Sequence, residues 1–103
     1  MAKPKIDSIP TVALFTKLNE KTTLAIKGSD VSKGDDVKGT DNLQGEYKGK
    51  IKKGLNAKNR CVAEIKCEKE HNANADIDEI EITITNSSSE TSDPVKAEAV
   101  NAS

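Results

Sequence analysis

A residue period of two runs through most of this chain and predicts an all-β fold, a small antiparallel sandwich or barrel of about five strands. Three observations carry that reading. Apolar and polar residues alternate in segments 11–27, 43–51, 61–68 and 77–85. Polar, glycine- or aspartate-rich stretches separate those segments. The apolar residues are almost all aliphatic, the aromatic ones being Phe15 and Tyr47 alone. A chain of 103 residues holds one domain. We divide it into a polar N-terminal arm (1–10), a β domain (11–85) and a polar C-terminal tail (86–103), and expect neither arm nor tail to add much to the core.

In the first alternating run Val12, Leu14, Thr16 and Leu18 share one face, opposite Thr11, Ala13, Phe15 and Lys17. Asn19, Glu20 and Lys21 supply turn chemistry, and Thr22, Leu24 and Ile26 alternate after them, which together predicts a hairpin. Residues 28–42 (GSDVSKGDDVKGTDN) read as a loop. A loop that long is often functional, so it is a candidate contact surface. Leu43, Gly45, Tyr47, Gly49 and Ile51 mark the next strand, whose glycines point to a bulge or to close approach of another backbone. Gly54 to Asn59 reads as a turn anchored by Leu55.

Cys61, Ala63, Ile65 and Cys67 face inward in the clearest strand, and Ile80, Ile82 and Ile84 do so in the last, which Ile77 opens. Residues 69–75 form the loop between them. After Asn86 the period is lost. There Asp93 and Pro94 could cap and open one short helix over 94–100. The expected core is therefore Val12, Leu14, Leu18, Leu24, Ile26, Leu43, Tyr47, Ile51, Leu55, Cys61, Ala63, Ile65, Cys67, Ile80, Ile82 and Ile84.

Cys61 and Cys67 stand six positions apart on one strand. That puts their Cα atoms about 20 Å apart, against the roughly 7 Å a disulfide tolerates. They are expected to be buried free thiols of a protein made in a reducing cytoplasm. No run of apolar residues is long enough to span a membrane as a helix.

Charge is distributed unevenly. Residues 1–60 carry 13 Lys and Arg against 7 Asp and Glu, whereas residues 61–103 carry 3 against 10. Six cations, Lys48, Lys50, Lys52, Lys53, Lys58 and Arg60, fall in one stretch without an anion. They could pair with acidic strand faces such as Glu64/Glu68 or Glu79/Glu81, attract an identical subunit head to tail, or track phosphates. Single-strand binders add aromatic stacking platforms, and Tyr47, the one aromatic nearby, is assigned inward.

Asp30, Asp35, Asp36 and Asp41 make the loop acidic, and the first three are the other candidate contact residues. Their spacing misses the calcium-loop pattern, and Lys33 and Lys38 oppose a cation, so a solvated turn is expected and no metal. His71 lies in a polar run expected at the surface, with no nucleophile and orienting group around it. No catalytic residues and no cofactor are expected. The composition points to a non-enzymatic structural or assembly protein with protein partners or self-association. Its most concrete form is a viral or phage virion component such as a capsid-decorating subunit. A small barrel that binds single-stranded nucleic acid ranks behind it.

Overall fold

The computed structural model describes residues 2–71 and 76–103 and shows an all-β protein. Its strands are β1 (Lys5–Ser8), β2 (Val12–Leu14), β3 (Lys21–Ser29), β4 (Asp36–Asp41), β5 (Glu46–Lys53), β6 (Arg60–Lys69), β7 (Glu79–Thr85) and β8 (Val95–Asn101). They join in one sheet in the order β1-β3-β6-β5-β4-β7-β8-β2. The sheet curls into a half-barrel, so that β1 approaches β7 and β8 while β2 approaches β3. All neighbours are antiparallel except β2 and β8, which run parallel through Val12–Ala99, Ala13–Val100 and Leu14–Asn101. The strand order matches the two sheets of an immunoglobulin-type Greek key, A-B-E-D beside C-F-G, with β5 bonded to both halves.

The alternation that predicts strands also builds the core. Leu24 and Ile26 on β3, Tyr47 and Ile51 on β5, Cys61, Ala63, Ile65 and Cys67 on β6, and Ile80, Ile82 and Ile84 on β7 are all buried, as are Val12 and Leu14. Gly49 sits directly opposite Ile65, and a Cβ there would collide with the Glu64 carbonyl oxygen. Strand β6 thus passes too close for any side chain at this position, the close approach expected of a glycine inside a strand.

Several expectations are corrected. Among the described residues there are eight strands rather than about five. Residues 95–101 form β8, not a helix, and lie between β7 and β2. Ala97 and Ala99 point into the core, and pairing on both sides satisfies a backbone that two isolated helical turns could not stabilise. The N-terminal arm contains β1 and buries Ile6 and Pro4, so both termini contribute to the core after all.

Segment 28–42 is only in part a loop: β3 runs on through Ser29, and β4 occupies Asp36–Asp41 at the middle of the sheet. Its inward positions are Val37, Gly39 and Asp41, which hide the apolar period. The predicted hairpin of residues 11–27 does not form, because β2 pairs with β8 while β3 pairs with β1 and β6. The polar turn at Lys17–Glu20 instead carries the chain from one side of the half-barrel to the other. Leu18 lies in that turn and is 51% exposed, while Leu43 and Leu55 are half-buried against the rim of the core. Of the loop read at 69–75, residues 72–75 lie outside the described residues.

Candidate functional site

Register places the outward residues of four adjacent strands in rows. Lys38 on β4 stands opposite Lys48 on β5, Lys48 opposite Lys66 on β6, and Lys66 opposite Lys21 on β3. Four ammonium groups therefore cross the sheet in single file, over roughly 14 Å at the usual strand spacing. Lys21 reaches Glu64 at 3.8 Å, and among the described residues Lys38, Lys48 and Lys66 take part in no ion pair. The next row along the strands is mixed, with Asp36 opposite Lys50 and Lys50 opposite Glu64. There Lys50 Nζ donates to Asp36 Oδ1 at 2.9 Å. Lys21, Lys48, Lys50, Lys52 and Lys66 surround a shallow depression at Gly49 and Ile65, with Asp36, Glu64 and Glu68 at its margin.

The nine residues singled out for partner contact are dispersed by the fold. Lys48, Lys50, Lys52 and Asp36 come together on this outer face. Lys53 closes β5 opposite Val62, Lys58 lies in the exposed turn after it, and Arg60 opens β6 opposite Lys27. Arg60 and Lys27 flank a separate cleft under Ser8, Ile9 and Pro10. Asp30 is exposed in a left-handed turn conformation. Asp35 is buried and faces no partner: its Oδ2 accepts the Ser32 N–H at 2.9 Å and its carbonyl accepts the Ile51 N–H. Lys21, Lys38 and Lys66 join the surface although they lie outside the basic stretch, because only the register of distant strands brings them in.

The expected pairing of the basic strand with acidic neighbours is realised in part. Lys50 faces Glu64, although its ion pair is with Asp36 at 2.9 Å, and Lys48 faces only lysines. Both sheet edges are short. β1 has four residues with a bulge between Ile6 and Ser8 and places Lys5 and Asp7 outward, and β2 has three residues. Such features discourage edge-to-edge pairing, which leaves the sheet face as the surface open to a partner.

A second polar group lies inside the protein. Asp41 ends β4 with its carboxylate shut off from solvent. Its Oδ1 accepts the N–H groups of Leu43 (2.8 Å) and Gly45 (2.9 Å), and its Oδ2 accepts the Tyr47 hydroxyl. A Cβ at Gly45 would collide with that carboxylate, so the turn into β5 requires glycine there. His71 Nδ1 lies 3.9 Å from Asp41 Oδ2 and is buried without a hydrogen-bond partner among the described residues. His71 is therefore not the surface residue its polar context suggests: its side chain is 13% exposed, drawn in against the Asp41 turn.

Burial pushes the Tyr47 phenol far up from its usual range, helped by its hydrogen bond to Asp41 and by the Asp41 charge. Burial also raises both thiols, with Asp35 adding to Cys61 and Glu70 to Cys67. The Cys67 thiol donates to the Thr16 carbonyl at 3.3 Å. These groups are all held in their neutral forms, the opposite of what a nucleophile requires. The cluster's evident work is to fix the β4–β5 turn, which sets the register that aligns Lys38 with Lys48.

No protein-family model matches the chain, and no curated protein matches it in sequence.

Proposed function

We propose that this chain is a non-enzymatic structural or assembly protein acting through the outer face of its sheet, most concretely as a subunit that decorates a viral or phage capsid. The lysine row carries the reading. Like charges directly opposite one another across strands destabilise a sheet by roughly 0.2–1 kcal/mol per pair. Here three successive lysine pairs sit on strands fixed by the core. An anionic partner surface turns that cost into attraction, and rigid strands present the charges without a backbone ordering penalty. The guarded edges and the thiols held neutral support contact rather than chemistry.

Binding of single-stranded nucleic acid is the second reading, favoured by the same lysines. Against it, Tyr47 is buried and offers no face for stacking a base.

Mass spectrometry of purified particles from the source tests the first reading, with the chain expected at a fixed copy number per particle. Its absence from particles, together with salt-sensitive binding of an oligothymidylate, would replace the first reading with the second.

A further inference from the structure

We infer that the anionic surface received by the lysine row is the outer β7–β8 face of a second copy of this chain. The inference rests on the assembly reading and names its partner.

The β7–β8 face has the inverse problem to the lysine row. Glu79 stands directly opposite Glu98, and Glu81 projects from the same side of β7. Lys96, opposite Glu81, is the cation among them and reaches Glu79 at 3.5 Å. Among the described residues Glu98 accepts only a long contact of 3.4 Å from the Thr11 hydroxyl. One chain thus carries two like-charged juxtapositions of opposite sign, lysine against lysine and glutamate against glutamate. Each is unfavourable alone, and each supplies what the other lacks.

Within one copy the two groups approach only where Lys38 on β4 stands diagonally across from Glu81 on β7, while Lys48, Lys66 and Lys21 lie on strands farther from β7 and β8. The centre of the row, on β5 and β6, is separated from the Glu79–Glu98 pair on β7 and β8 by the intervening strand β4. Contact between copies joins unlike surfaces and is head to tail. It closes into a ring if the rotation between copies allows, and otherwise extends as a stack.

The layout of the row favours this occupant over a polyanion. Two positions from the row on β4, β5 and β6 stand Asp36, Glu46, Glu64 and Glu68, with Lys50 the cation among them, and the chain's net charge is −1. A broad polyanion such as nucleic acid would meet those carboxylates as well as the lysines. A narrow line of glutamates on one or two strands meets the lysines first. Four strands by about five residues give a face of only a few hundred Å², below the roughly 800 Å² per partner of a stable interface. Association is therefore weak in dilute solution, strongly salt-dependent, and reinforced when many copies are held together.

Sedimentation of the full chain at high protein concentration tests this at about 20 mM and about 500 mM NaCl, where screening differs severalfold. The expected result is a weight-average mass at least doubled at low salt and monomeric at high salt. Lys48→Glu/Lys66→Glu and Glu79→Lys/Glu98→Lys should each be monomeric alone, and an equimolar mixture should regain salt-sensitive association. If a charge-reversed chain fails to fold, Lys48→Gln/Lys66→Gln takes its place and should lose association by itself. A wild-type monomer at low salt, association unchanged in the variants, or a mixture that stays monomeric would each overturn the inference. A chain found on particles yet monomeric at every salt refutes the copy-to-copy contact alone. One that associates as described but is missing from particles refutes the capsid role and leaves this contact standing.

Discussion

The Tyr47 hydroxyl donates a 2.8 Å hydrogen bond to Asp41 Oδ2, and both side chains are closed off from water. Asp41 ends β4 and Tyr47 lies just inside β5, so this bond ties the two strands that align Lys38 with Lys48. Tyr47→Phe leaves a buried carboxylate oxygen short of a donor and should cost about 1–3 kcal/mol. Asp41→Ala should cost more, because two turn N–H groups and the phenol lose their acceptor together. Urea unfolding followed by circular dichroism gives both values, and equal stability of Tyr47→Phe and wild type would remove this bond from the account.

Alkali should weaken the protein. Tyr47, Cys61 and Cys67 all have folded-state pKa values raised above those of the unfolded chain. Their stabilising contribution is complete below the unfolded pKa and declines above it, since the unfolded chain then releases protons that the folded chain retains. Melting temperature should hold steady up to about pH 8, fall from about pH 8.5 as the thiols of the unfolded state ionise, and fall faster above about pH 10 with the phenol. Tyr47→Phe should lose the second, steeper phase. In the native protein both thiols should react with Ellman's reagent only at the rate of unfolding.

Replacing Lys48 by threonine should stabilise the isolated protein. The change relieves two like-charge pairs, with Lys38 and Lys66, and places a β-branched residue on a strand. A gain on the order of 0.5–1 kcal/mol at low ionic strength is expected, shrinking as salt is added. A loss of stability at low salt would show that the row is neutralised within the chain and would undercut its reading as a contact surface.

Removal of residues 95–103 should abolish folding rather than trim a tail. The deletion strips β8 from between β7 and β2, exposes the β7 edge and takes Ala97 and Ala99 out of the core. Lost amide dispersion in the NMR spectrum, with aggregation, is the expected outcome. A truncated chain with native dispersion would mean that β8 is dispensable.

Sequence patterning made β5, β6 and β7 legible because their inward positions carry Tyr, Ile, Cys and Ala in regular alternation, interrupted only at Gly49 of β5. β4 escaped because its inward positions are Val37, Gly39 and Asp41, of which only the first looks like core. β8 escaped because small inward alanines after Asp93-Pro94 suit a helix as well as a strand, and only pairing with β7 and β2 decides. The false hairpin has a similar cause: local turn chemistry at 19–21 was present, but the better partners of β2 and β3 lay far along the chain. The lysine row was illegible for a stronger reason. Its members come from positions 21, 38, 48 and 66, and no local pattern links them until four strands fall into register.

The parallel pairing of β2 with β8 also dictates when the molecule can be finished. Residues 12–14 are synthesised well before their partners at 99–101, with five other strands made in between. A nascent chain on the ribosome holds an open half-barrel, with β7 uncovered and β2 waiting, until residues 95–101 emerge. Closure waits for β8, which joins β7 and β2 at once, and a product terminated before residue 95 would remain unclosed and open to proteolysis.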